Sequence, residues 1–169
     1  MSDNLILLPI KLFALLYAIV IHEWAHGYAA YKMGDNTAYY MGRLTLNPLK
    51  HIDLLGTVIL PAVMLLTGSP VLFGWAKPVP VNPHNFNDIK KGTMYVSLAG
   101  PGANLISAFA FAGIFHLVIP YIQEFSFAVP IVYFLIFGAI INIVLFAFNL
   151  IPIPPLDGSH FVRDRKSVV

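Results

Sequence analysis

Apolar residues run unbroken from Leu12 to Ile21 and continue at helical spacing through His22-Glu23-Trp24-Ala25-His26-Gly27-Tyr28-Ala29-Ala30. A helix over Leu12 to Ala30 is roughly 30 Å long, one hydrocarbon thickness, so the pattern predicts a first membrane span whose second half alone carries polar side chains. Met1 to Asn4 holds no basic cluster, and the polar motif stands where a small-residue cleavage site would follow, so a cleavable signal peptide fits poorly. Further along, Thr93 to Ile122, entered through Gly100-Pro101-Gly102, and Phe127 to Phe148, with Asn142 its most polar residue, predict two more spans. Gln123, Glu124 and Ser126 make the hairpin between them. Leu54 to Phe73 is also uncharged, but Gly56, Pro61, Gly68 and Pro70 interrupt it.

Composition agrees with a membrane chain. Of 169 residues 58% are hydrophobic and 11% charged, the mean hydropathy is +0.76, and an ordinary soluble domain carries about 25% charged residues. No linker, internal repeat or low-complexity tract divides the chain, which reads as a single membrane-embedded domain over 1–163. The formal charge of +2 is small and the basic residues are scattered, so a nucleic-acid partner is excluded and the lipid bilayer is expected instead. With no cysteine present, a transition-metal site must be built from His, Asp and Glu.

Such a site is suggested by the polar half of the first span. His22 and His26, at i and i+4, share one helical face where both can bind one zinc ion, and Glu23 stands beside them to take a proton from water. Ionisable residues inside a span carry an insertion penalty and mark function by default; the alternative is that all three are polar anchors at the water interface. A catalytic zinc needs a third protein ligand. Six residues past His26 stands Lys32, so the extended helical motif fails, and Asp35, His51, Asp53, Asp88, Asp157 and His160 remain. Asp157 is best placed: Pro152, Pro154 and Pro155 enforce an extended approach to it from the last span, and Gly158 allows a tight turn. Taken alone it reads equally well as a helix cap; paired with the helical motif, the metal ligand is preferred.

If the two clusters share a metal, the chain between them crosses the bilayer an even number of times. The last two spans supply two crossings, so Leu54 to Phe73 is expected to be re-entrant, shielded from lipid by protein. Lys32, Arg43, Lys50, Lys77, Lys90 and Lys91 then all fall on one face, which the positive-inside rule makes cytoplasmic, whereas a full crossing would divide them evenly. The location expected is the plasma (inner) membrane with the site toward the cytoplasm. Tyr39 to Leu46 is rich in β-formers and Ala76 to Val81 alternates with prolines that suit only a sheet edge, predicting a small edge β-sheet near the site. Such an edge could receive an unwound substrate as an added strand, or be no more than a connector.

These residues resemble the site-2 protease family of intramembrane zinc metallopeptidases. The resemblance rests on His22-Glu23-Trp24-Ala25-His26-Gly27, on Ala99-Gly100-Pro101-Gly102-Ala103-Asn104, on Asn149-Leu150-Ile151-Pro152 with Leu156-Asp157-Gly158, and on the stretches GRLTLNPLKHID and FGWAKPVPVNP. It runs from about Leu12 to Phe161. It implies an all-α integral membrane fold with a three-helix transmembrane catalytic core, to which the residue patterns add the re-entrant segment and edge sheet. It also implies Zn2+ held by His22, His26 and Asp157, Glu23 as general base and later acid, and Asn149 near the substrate. The Gly100 to Asn104 turn would be a close-packing element. The implied reaction is metal-assisted hydrolysis of transmembrane or membrane-adjacent proteins and peptides.

From its position at the end of an apolar helix, Asn149 could equally bond its own helix end, while Gly100 and Gly102 permit close helix approach. His51 and His160 match no ligand position and are expected to be supporting or surface residues. Larger members carry a PDZ-like insertion or a nucleotide-sensing domain, so this chain looks like a minimal form. Asp164 to Val169 is a candidate non-native tail and 1–163 a candidate truncated domain, because the chain stops before a helix of normal length follows Gly158. Two rivals remain from other classes. A membrane metal carrier would need ligands along several spans, where only Asn104, His116 and Asn142 offer themselves; an inactive scaffold of the same fold is opposed by the intact Glu23.

Overall fold

A computed structural model describes residues 2–67, 74–124, 129–154 and 156–159. The expectations concerning Gly68, Pro70, Ser126, Pro155, His160 and the tail 164–169 lie outside the described residues.

Each uninterrupted apolar run becomes a helix. Helix α1 spans Ser2–Lys32 with Pro9 inside it. It ends where Gly34 takes φ +108, a conformation favouring glycine, and Asp35 N–H reaches back to Ala30 O at 2.9 Å. A four-residue helix α2, Thr37–Tyr40, follows. Leu54–Ile59 forms a π-helical turn capped by the Asp53 side chain on Gly56 N–H, and runs directly into α3, Leu60–Leu66. Helix α4 spans Ile89–Val118, its first turn capped by the Asp88 carboxylate on Lys91 N–H. Gly100-Pro101-Gly102 thus lies inside α4 rather than at its entrance. Helix α5 spans Val129–Asn149. The long apolar helices α1, α4 and α5 are long enough to cross a bilayer, and the chain is an integral membrane protein.

The three pack against one another in pairs. Phe111 of α4 sits edge-on to Tyr17 of α1 and to Phe134 of α5, with ring centroids 5.2 and 5.4 Å away. Gly138 makes room for it, since a Cβ there would lie 2.9 Å from the Phe111 ring. Buried asparagines pin the bundle at mid-height: Asn104 Nδ2 donates to Ala18 O at 3.0 Å and to Asn142 Oδ1 at 2.8 Å, and Asn142 Nδ2 donates to Gly138 O at 2.8 Å. In a medium without water these bonds leave few polar atoms of either amide unpaired.

The connection from α1 to α4 starts and finishes at the end of the bundle where His26 meets Val96. Its helical part, 6 plus 7 residues, is about 20 Å long against a hydrocarbon core of about 30 Å. The chain then returns to its starting level, because Trp75 N–H donates to Gly56 O at 3.2 Å and Thr57 Oγ1 to Trp75 O at 2.8 Å.

The expected edge β-sheet is overturned: no strand occurs among the described residues. Tyr39 and Tyr40 complete α2, Gly42 turns the chain at φ +61, and residues 76–81 have no regular secondary structure. Pro78 and Pro80 contribute no N–H, so a ladder cannot propagate along that segment. Its polar groups are satisfied otherwise, Lys77 N–H by His51 O at 2.9 Å and Lys77 O by the Arg43 guanidinium at 2.8 Å.

Candidate metal centre

The i, i+4 spacing places His22 and His26 on the face of α1 turned toward α4, their Nε2 atoms 2.9 Å apart. Asp157 returns from the loop after α5 and sets Oδ2 3.2 Å from each. Gly158 N–H donates to Asn149 O at 2.7 Å, tying the loop back to the helix end. A Cβ on Gly158 would stand 2.4 Å from Leu150 O, so the turn requires glycine.

Hydrogen bonds fix which ring nitrogens face inward. His26 Nδ1 lies 2.7 Å from Val96 O, a group that can only accept, so this nitrogen carries the proton. Asn104 uses its amide nitrogen on Ala18 and Asn142, which leaves Oδ1 to accept from His22 Nδ1 at 2.6 Å. With Nδ1 engaged on each ring, both Nε2 atoms point at each other and at a carboxylate oxygen. Asp157 Oδ2 is itself buried without a hydrogen-bond partner. Burial alone would raise the Asp157 carboxyl, but the contacts with His22 and His26 outweigh it and hold the group below the usual carboxylate range.

Two imidazole nitrogens and a carboxylate oxygen converging on one point can hold a cation. Edges of 2.9, 3.2 and 3.2 Å are close to the separation of about 3.3 Å between ligands of a tetrahedral zinc at ordinary bond lengths. The imidazole and carboxylate donors suit zinc. The residues present therefore fit that ion, and theirs is the group of potential metal ligands found among the described residues.

Gly100 makes the convergence possible. A Cβ there would meet His26 Nε2 at 2.4 Å and His22 Cε1 at 2.7 Å, so α4 can back against both rings only through a bare Cα. Gly102, one residue past Pro101, faces open space and has no such role. Glu23 lines the same cavity of about 380 Å3 as the three donors, with Asn149 also in the wall. Glu23 Oε2 accepts from Val79 N–H at 2.7 Å, and Asn149 Nδ2 donates to Leu145 O of its own helix at 3.0 Å.

The rejected ligand candidates have other duties. Asp53 and Asp88 cap helices. Asp35 accepts from Thr37, Asn82 and Asn85, and His51, almost fully buried, donates through Nε2 to Thr45 O at 2.8 Å. Three contributors are not evident from the sequence: the Val79 amide, Arg43, and the Asn142 support beneath Asn104. For Asn142 a signal existed, an amide in the middle of an apolar span.

Known proteins similar to this chain carry zinc metalloprotease names. The family model for Peptidase family M50 matches residues 112–167. A Bacillus subtilis (strain 168) protein, YwhC, named provisionally as a zinc metalloprotease, is 43% identical over 162 residues, 94% of this chain and 69% of its own length. Rip2 of Mycolicibacterium smegmatis and of Mycobacterium tuberculosis H37Rv, provisionally named in the same way, are 31% and 32% identical over 85% of this chain. The chain spans about half the length of these mycobacterial relatives, 52%. No solved structure matches.

Proposed function

The chain belongs to peptidase family M50, and on that premise we propose that it is a membrane zinc metalloendopeptidase cleaving transmembrane or membrane-adjacent peptides at the His22, His26 and Asp157 centre. The observation that carries the reading is the convergence of two Nε2 atoms and one carboxylate Oδ2, with Glu23 in the wall of the same cavity.

His22, His26 and Asp157 would hold the zinc. When bound, the ion supplies Lewis acidity, polarising a peptide carbonyl and making water easier to deprotonate near neutral pH. Glu23 takes the water proton on Oε1, the oxygen not engaged by Val79, and later returns it to the departing amine. His22 and His26 keep their Nδ1 protons on Asn104 and Val96 and take no part in proton transfer. Asn149, whose Nδ2 is committed to Leu145, offers Oδ1 to a substrate backbone N–H. The substrate must be locally unwound, because a helix holds its carbonyls in internal hydrogen bonds. Lys32, Lys90 and Lys91 at the helix ends nearest the site, with Arg43, Lys50 and Lys77 on the connection between them, support a cytoplasmic orientation.

Metal content and cleavage of a synthetic membrane peptide, measured together in wild type and Glu23→Gln, test the proposal. The expectation is one zinc per chain in both, with cleavage lowered roughly 10²- to 10⁴-fold in the variant. Zinc binding with full activity in Glu23→Gln would remove the general base, and zinc without cleavage in wild type would favour the carrier. Against the carrier stands His116, exposed and outside the cluster.

A further inference from the structure

Lys77-Pro78-Val79-Pro80-Val81 lines the site as a segment without regular secondary structure, in which both prolines lack an N–H. Val79 therefore presents the single backbone donor between Lys77 and Val81, and that donor is the one bound to Glu23 Oε2 at 2.7 Å. The other end of the same peptide unit, Pro78 O, accepts from Arg43 Nη2 at 3.3 Å, and the adjacent Lys77 O accepts from that nitrogen at 2.8 Å. One peptide plane is thus held between a guanidinium and the carboxylate of the general base.

Arg43 is a costly residue to place there. It is 7% exposed, forms no ion pair among the described residues, and its Nε is buried without a hydrogen-bond partner. A buried cation satisfied only by carbonyl oxygens is a poor choice for holding a loop that neutral groups could hold. What a cation adds is polarisation: drawing electron density toward Pro78 O makes Val79 N–H a stronger donor, and hydrogen bonds in series reinforce one another.

We propose that Arg43 is a positioning residue for Glu23, acting through the Pro78–Val79 peptide to pin one carboxylate oxygen and leave the other directed at the water. The inference rests on the reading of Glu23 as general base, and its structural half stands apart from it. A carboxylate free to rotate would spend most of its time misaligned, and misplacement by about 1 Å costs on the order of a hundredfold in rate.

The test compares Arg43→Met, Arg43→Lys and Glu23→Ala with wild type in zinc-loaded, micelle-embedded full chain. Val79 amide exchange is followed by NMR or mass spectrometry, and kcat, KM and zinc content are measured alongside. The expectation is that Arg43→Met and Glu23→Ala each speed Val79 exchange at least tenfold. Arg43→Met should also lower kcat about ten- to a hundredfold with KM and zinc content unchanged, and Arg43→Lys, which keeps a cationic donor, should recover part of both effects. Unchanged Val79 exchange in Arg43→Met overturns the proposal. So does a fall in zinc content or a rise in KM that matches the loss of rate, which would make Arg43 a plain structural support. Should Glu23→Gln prove fully active, the assignment of the base fails, while Val79 exchange still reports whether the latch exists.

Discussion

His22 Nδ1 and Asn104 Oδ1, 82 positions apart in the chain, lie 2.6 Å from one another in the centre of the bundle. The bond decides which nitrogen of His22 faces His26 and Asp157, and it is itself decided one step further out, where Asn142 Oδ1 takes up the Asn104 amide. The α4 and α5 helices thereby set the chemistry of a side chain on α1. Packing and ligand orientation are the same set of contacts here.

Replacing Asn104 with Ala removes the acceptor that holds the His22 proton on Nδ1. Zinc affinity should fall about ten- to a hundredfold, as for other supporting partners of ligating histidines, which competition with a calibrated chelator measures. Asn142→Ala leaves the His22 bond in place and should weaken binding less. Equal affinities in wild type and Asn104→Ala would show that the bond does not orient the ligand.

The two glycines flanking Pro101 should respond differently. In Gly100→Ala the added methyl would overlap both imidazoles, at 2.4 Å from His26 Nε2, and the rings cannot yield without leaving the cluster. Gly102→Ala adds a methyl to open space. Metal stoichiometry of the purified variants should drop well below one in the first and stay at one in the second.

That contrast also marks what was legible in the chain. The spans and the His22-Glu23-His26 pattern are local properties, set by apolar runs and an i, i+4 spacing, and they appear as read. Asp157 was reachable because prolines and a glycine constrain its approach. The sequence around Gly100 and Gly102 does not say which faces α1, since that depends on helix rotation. The fate of Ala76 to Val81 was hidden for a different reason: β-propensity registers an extended, half-buried backbone but not its partner. Here the partners are the Glu23 carboxylate, the Arg43 guanidinium and the His51 carbonyl instead of a neighbouring strand.

Asp35, beyond the end of α1, fastens the loop that walls the cavity by accepting from Asn82 N–H at 2.7 Å and Asn85 Nδ2 at 2.8 Å. Burial would raise its carboxyl, but the bonds from Thr37, Asn82 and Asn85 prevail and hold it below the ordinary value. A carboxylate with a depressed folded-state pKa stabilises fully above its unfolded value of about 3.9, and loses that contribution as pH falls through the lower folded value. Asp35→Asn should cost about 1–3 kcal/mol at neutral pH and flatten the acid limb of the stability profile. Limited proteolysis of the 82–87 loop from pH 7 downward would check this, and an acid limb unchanged by Asp35→Asn would count against it.

Withdrawal of the metal should loosen the bundle, because the donor triangle of 2.9, 3.2 and 3.2 Å then loses the ion that ties α1 to the loop after α5. Zinc binding to the folded chain adds about 2.7 kcal/mol of stability at a free concentration a hundred times the dissociation constant. A strong chelator should therefore lower the unfolding temperature of wild type in micelles by several degrees. His22→Ala has already lost a ligand and should melt at nearly the same temperature with and without chelator. An equal chelator-induced shift in both proteins would mean that the stabilising ion sits elsewhere, and that the buried Asp157 Oδ2 needs another explanation.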